Sequence, residues 1–223
     1  IRVLTQGQPT SQAAQTGAIL GQRVGKRASR GGQQMEITFR DAVTMLHGMG
    51  FGALLLLAFS GAVAGLYSTS IAGHHWTDKE RRLACAYLVA MAALAWITVL
   101  AGAYLVYPWY RAVAPPGTVD LSGYPPRLLM SQTSTSGWHE SGMEWKEHFA
   151  WFAPITLTAV AFIFIHYGAE LARFRGVRNA VMALAVTAFV ATGVAGAFGA
   201  MLNKFAPVRG GSTIVIMKGE THD

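Results

Sequence analysis

Four long stretches of the sequence are apolar and contain no Lys, Arg, Asp or Glu: about 43–67, 83–107, 148–168 and 179–202. Each reaches the roughly 20 residues that a helix needs to cross about 30 Å of hydrocarbon. A soluble helix of this length normally carries a charged stripe. The sequence therefore predicts an all-α fold, an integral membrane bundle of four transmembrane helices within 41–205.

The segments outside these spans differ in composition. A long connection, 108–147, joins the second and third spans, and its "APPG" and "GYPP" sequences predict turns in an ordered loop. The N-terminal tail, 1–40, is polar and basic, and 206–223 form a C-terminal tail. The net charge is +7, and residues 1–34 hold five basic and no acidic residues. The basicity therefore belongs to the tail, and no nucleic-acid partner is expected.

Four spans place both termini and the 108–147 loop at one end of the bundle, here named side A. The opposite end, side B, has two short links, 68–82 and 169–178. These links carry the basic residues Lys79, Arg81, Arg82, Arg173, Arg175 and Arg178. Such a density of basic residues is typical of a cytoplasmic face, which predicts a bacterial-type inner membrane with side A in the periplasm.

Two histidines near side A are candidate haem ligands. His47 lies inside the first span and His148 opens the third, so both are at similar depth. Gly48 and Gly52 would let a flat macrocycle approach the first helix closely. Cys85 is the only cysteine, and without a C-x-x-C-H motif a haem would be b-type. The alternatives are histidines bonded to loops, or quinone-site residues without a metal.

A third histidine, His166, lies about five turns after His148 and would share its face on an unbroken helix. It is a candidate ligand of a second haem, with His74 or His75 opposite. The alternative is an interfacial histidine at a helix end, where the helix dipole favours a cation.

The segment "SGMEWKEHFAWFAP", residues 141–154, is a candidate quinone-binding and proton-handling rim. Oxidation of a quinol releases protons, for which Glu144 and Glu147 would be acceptors, and Trp145 and Trp151 would wall the ring. Helix-dipole electrostatics explain the glutamates equally well. Lys146 is expected to snorkel towards lipid headgroups, and Pro154 to kink the third span.

A metal site is a further alternative for the same region. It would be formed by His139, Glu140, Glu144 and His148, which are suitable ligand types at mixed spacing.

Four spans, paired histidines near one surface and a Trp-rich loop on that side resemble the b-type cytochrome membrane subunits of bacterial respiratory complexes. The resemblance implies a membrane-embedded electron-transfer subunit of a respiratory or photosynthetic complex, with haem b, a quinone and partner subunits. Catalytic chemistry would then belong to an oxidoreductase partner or the quinone site. The alternative is a cofactor-free structural subunit; a transporter is disfavoured because no polar residue lies centrally in the spans.

Overall fold

The computed structural model describes residues 35–70, 77–168, 171 and 173–217. The chain divides into two compact units. Residues 37–214 form one, which holds the helices of the described residues; the described residues 35–36 and 215–217 belong to the other. The predictions for the basic tail at 1–34 and for His74 and His75 lie outside the described residues.

Among the described residues four helices are long and apolar enough to cross a membrane, as predicted. They are named spans 1 to 4 and comprise Phe39–Ser68, Asp78–Tyr110, Thr133–Tyr167 and Arg175–Phe205. Each is longer than the apolar stretch seen in the sequence, because polar residues extend it at one or both ends.

Three spans contain π-helical segments. Span 1 is built from α1 (Phe39–Met45), π1 (Leu46–Gly52) and α2 (Ala53–Ser70). Span 2 is built from α3 (Asp78–Ala101), π2 (Gly102–Val106) and α4 (Tyr107–Tyr110). After α5 (Pro125–Met130), span 3 is built from α6 (Thr133–Gly137), π3 (Trp138–Met143), α7 (Glu144–Phe149) and α8 (Phe152–Tyr167). Span 4 is the single helix α9 (Arg175–Phe205).

Two features differ from the sequence-based expectation. Much of the predicted 108–147 loop is helical, and span 3 begins at Thr133 rather than near 148. Its added turns mix polar and charged residues, so hydropathy alone does not reveal them. The fold also contains a two-stranded sheet of β1 (Met35–Thr38) and β2 (Thr213–Met217), and the run of β-branched residues in β2 favours a strand.

Local chemistry explains where spans 1 and 2 begin and where span 3 is interrupted. Thr38 with Asp41, and Thr77 with Glu80, form capping boxes that satisfy backbone N–H groups at the starts of spans 1 and 2. Span 3 is interrupted between α7 and α8, and Pro154 lies just after that break. Proline has no N–H to bond the carbonyl one turn earlier, which accounts for the interruption there, and the kink stays a prediction.

The spans pack in a ring in which each contacts the next and span 4 contacts span 1. Buried apolar side chains form two clusters. The larger cluster fills the middle and the side B half, and includes Leu55, Phe59, Ala95, Leu157, Val160, Val181 and Ala188. The smaller cluster lies at side A and comprises Tyr110, Leu129, Met143, Leu202, Ala206 and Val208.

Candidate functional site

A band of polar side chains lies between the two apolar clusters. In each span the residues of this band come between the residues of the larger cluster and the side A end of the span. We name as the polar layer five residues of spans 1 and 3: Thr44, His47, Trp145, Lys146 and Glu147. Glycines of spans 2 and 4 face them.

His47 is carried by π1, and its imidazole lies against Gly102, the first residue of π2. A Cβ atom at Gly102 would be 2.7 Å from Cε1 and 3.2 Å from Nε2 of His47. That separation is too short for two non-bonded heavy atoms, so only glycine leaves room for the ring in this position. Spans 1 and 2 therefore pack closely where the imidazole of span 1 fits against the glycine of span 2.

Lys146 points into the bundle. A Cβ atom at Gly199 of span 4 would lie 2.8 Å from Nζ of Lys146. The ammonium group therefore lies against span 4, and its charge acts on His47 of span 1. The expectation that Lys146 snorkels to the headgroups is wrong, because α7 turns this side chain towards span 4.

Glu147 faces a third neighbour, the Tyr107 hydroxyl at the end of span 2. Tyr107 also packs against the side A cluster. Consecutive residues of α7 therefore reach different spans, Lys146 towards span 4 and Glu147 towards span 2.

Four buried polar atoms of the layer have no hydrogen-bond partner within the described residues: Thr44 Oγ1, His47 Nδ1, Trp145 Nε1 and Glu147 Oε1. Among all the described residues just one other buried polar side-chain atom lacks a partner, Arg178 Nε. Buried polar groups in native proteins are nearly always bonded, and leaving one unbonded costs about 1–3 kcal/mol. Their concentration in two short stretches marks the layer as the place where a polar ligand or water would bind.

His148 occupies a different environment from His47. Its side chain is 68% exposed, and Nδ1 lies 2.9 Å from the carbonyl oxygen of Glu144. A carbonyl only accepts, so Nδ1 donates this hydrogen bond. Residue 148 is turned about 200° around the helix from Lys146, which faces inward. His148 is therefore on the exposed side of α7, whereas the His47 imidazole lies against span 2, and the haem between them stays a prediction.

Glu144 shares the exposed side of α7 with His148. Its carboxylate is 63% exposed and lies 3.7 Å from Nδ1 of His148. Of the predicted rim residues, Trp145 and Glu147 belong to the polar layer and Glu144 does not. Trp151 makes an edge contact with Trp96 of span 2, with ring centroids 6.3 Å apart.

Gly48 and Gly52 do not bring another described helix close. A Cβ atom at Gly48 would meet no described atom within 4 Å, and one at Gly52 would meet only the His47 carbonyl oxygen, at 3.4 Å. The close approach in span 1 is instead at Gly61, where a Cβ atom would be 2.7 Å from the Tyr87 hydroxyl. Gly48 is open to the surroundings of the bundle.

His166 is exposed near the end of α8, and its Nδ1 lies 2.9 Å from the Phe162 carbonyl oxygen. His148 and His166 lie in separate helical segments, α7 and α8, and the prediction that they share a face stays a prediction. The proposed second haem site stays a prediction, since its partners His74 and His75 lie outside the described residues.

Sequence reasoning missed three features of the site. The segments π1, π2 and π3 all lie in the side A half, and π-helical turns are common at functional sites. The inward direction of Lys146 was missed as well. His139, weighed as a metal ligand, instead bonds the buried Tyr110, and no three potential metal ligands converge within the described residues. Only the glycine-rich "LHGMGFG" of π1 offered a sequence signal.

Comparison with known proteins finds no similarity at a significant level: no family model, curated protein or solved structure matches the chain. The functional argument therefore depends on the arrangement of the polar layer.

Proposed function

We propose that the protein is a membrane-embedded electron-transfer subunit of a larger respiratory or photosynthetic complex, and that its polar layer binds a quinone head group. The observation that carries the proposal is the group of four unbonded buried polar atoms contributed by spans 1 and 3. The membrane would be a bacterial-type inner membrane, with side A in the periplasm.

The chemistry of the layer suits both redox forms of a quinone. The Trp145 indole and the Thr44 hydroxyl are hydrogen-bond donors for quinone carbonyl oxygens. The Glu147 carboxylate and an unprotonated His47 Nδ1 are acceptors for the hydroxyl groups of a quinol. A site that serves both forms needs both kinds of group, and a positioned carboxylate or imidazole accepts the protons released on oxidation.

The surroundings of the layer suit a ligand dissolved in lipid. Large apolar side chains are exposed on the outer faces of the spans, such as Met49 at 72% and Leu57 at 71%. Apolar faces of this kind are stable next to hydrocarbon, where isoprenoid quinones partition. A quinone would therefore reach the bundle from within the membrane.

Quinone binding is tested on the chain purified in lipid nanodiscs. A short-chain ubiquinone and a short-chain menaquinone, each in its oxidised and its quinol form, are titrated while tryptophan fluorescence reports binding, because Trp145 lies in the layer. We expect Glu147→Gln to weaken quinol binding roughly tenfold, since it replaces a charged acceptor by a neutral amide. Glu140→Gln is the matched control, because Glu140 is exposed in π3. No binding of either quinone to the unaltered chain would overturn the proposal.

Haem b ligation by His47 and His148 stays a prediction. A reduced-minus-oxidised absorption spectrum tests it directly. A b-type band that is lost in both His47→Ala and His148→Ala would establish the ligands. The quinone proposal does not depend on the result.

A cofactor-free structural subunit is the second candidate, and the position of Gly48 favours it. This glycine is exposed on span 1, so a helix of a neighbouring subunit could approach it closely. Under this hypothesis Gly48→Leu would abolish co-purification of other subunits from native membranes, whereas Glu147→Gln would have no effect on any redox activity.

A further inference from the structure

The Lys146 ammonium has no counterion in the polar layer. No carboxylate of the described residues lies within ion-pair distance of Nζ: the neighbouring Glu147 faces Tyr107, and Glu144 pairs with His148 on the exposed side of α7. Its charge acts on His47, which cannot neutralise it. A cation in a membrane-spanning bundle is costly unless something uses it.

The surroundings of Nζ show that its position is specific. The ammonium occupies the space over Gly199 that any larger residue would fill. The neighbouring glycines of the same helix face differently, since a Cβ atom at Gly196 or Gly193 would make ordinary contact with Leu56 of span 1, at 3.8 and 3.9 Å. Of these three glycines of span 4, Lys146 therefore contacts Gly199 alone, at the level of the unbonded atoms.

An anionic ligand would compensate this charge, and one chemical form of the proposed ligand is an anion. We propose that Lys146 makes the site selective for the one-electron-reduced quinone, the semiquinone anion. This inference rests on the proposed function. A one-electron carrier of a partner subunit, a haem or an iron–sulfur cluster, would donate one electron to the quinone. No bond breaks and no proton moves in this step; an N–H group of Lys146 donates a hydrogen bond to the charged oxygen.

A stabilised semiquinone gives the subunit a defined task. It lets a two-electron carrier exchange electrons with a one-electron carrier in separate steps. The second electron and two protons complete the quinol, for which Glu147 lies on the other side of α7.

The test is a potentiometric titration of the chain in nanodiscs that contain a ubiquinone, with dithionite as reductant. The organic-radical EPR signal measures the semiquinone, and extraction of the same samples measures the bound quinone. We expect the unaltered chain to show a radical signal and Lys146→Met to reduce it roughly tenfold, as for loss of a hydrogen bond to a charged group.

Gly199→Ala is a second variant that keeps the lysine and displaces its ammonium, and Gly196→Ala is the matched control on the same helix. If Lys146→Met does not fold, a smaller signal in Gly199→Ala than in Gly196→Ala supports the inference, and equal signals overturn it. Bound quinone with an unchanged radical signal in Lys146→Met overturns this inference alone. An unaltered chain without bound quinone overturns the proposed function as well.

Discussion

The hydroxyl of Tyr110 lies 2.7 Å from Nδ1 of His139, which bonds the end of span 2 to the π-helical segment of span 3. Tyr110 is 4% exposed and belongs to the side A cluster, so the bond is shielded from competing water. It closes the bundle on the side A face of the polar layer. The connection between spans 2 and 3 is therefore fixed at both ends, although 111–124 contain no regular secondary structure.

Removing this bond should loosen the side A end. We expect Tyr110→Phe to lower the free energy of unfolding by about 1 kcal/mol, because the substitution removes one hydrogen bond and leaves His139 without its partner. Thermal unfolding in detergent measures the change. Tyr104→Phe is the control, since Tyr104 is 70% exposed, and an equal loss in both variants would contradict the assignment.

Gly102 should be sensitive to the smallest substitution. Its Cβ in Gly102→Ala would collide with the His47 imidazole and displace it from the polar layer. We expect quinone affinity to fall several-fold, and stability to fall by about 1–3 kcal/mol if the ring cannot move freely. Gly48→Ala, which meets open space, is the matched control for titration and unfolding. Unchanged quinone affinity in Gly102→Ala would remove His47 from the site.

Thr38 should contribute to the start of span 1 through two contacts. Its Oγ1 accepts the backbone N–H of Asp41, at 3.2 Å, and that of Gly210, at 3.1 Å. Thr38→Ala should lower stability by about 1 kcal/mol, whereas Thr38→Ser, which keeps the oxygen, should restore most of it. Equal unfolding temperatures for the Ala and Ser variants would show that the cap contributes nothing.

The turn at Asp120 should weaken in acid. The backbone N–H of Ser122 donates to the Asp120 carboxylate at 2.9 Å, and this bond holds the pKa of the carboxyl below its usual value. A depressed pKa means that the stabilisation is complete above the unfolded-state pKa and is lost as the pH falls through the folded-state pKa. We expect amide exchange at Ser122, measured between neutral pH and pH values below the ordinary aspartate pKa and corrected for intrinsic rates, to lose protection in acid. Asp120→Asn should remove that pH dependence.

The four spans could be predicted from the sequence because an uninterrupted apolar run fixes the length of a helix without reference to its neighbours. The same holds for the interruption of span 3 just before Pro154, whose cause is local. The start of span 3 could not be predicted from hydropathy, because its first turns are polar and are held by the side A cluster.

The site was harder to predict than the spans. The positions of His47 and His148 within their spans predicted similar depths in the membrane. The direction in which each side chain points depends instead on the rotational phase of its helix. Helical phase in this protein is set by π1, π3 and the break before α8. Lys146 and His148 are two residues apart, and that phase sends one inward and the other outward. The partner of Lys146, Gly199, lies on another helix and has no side chain to signal the contact.

At its three π-helical segments the protein is more sensitive to the insertion or deletion of a residue than to substitution by another apolar residue. A π turn holds one more residue than an α turn. Deleting a single residue from π1 would leave span 1 helical and apolar, and its hydropathy profile would hardly change. The part of the helix before the deletion would nevertheless rotate by about 100° relative to the rest, carrying Thr44 to another face. The number of residues in each π-helical segment therefore determines which side chains face the polar layer, and an insertion or deletion there would be more damaging than most substitutions.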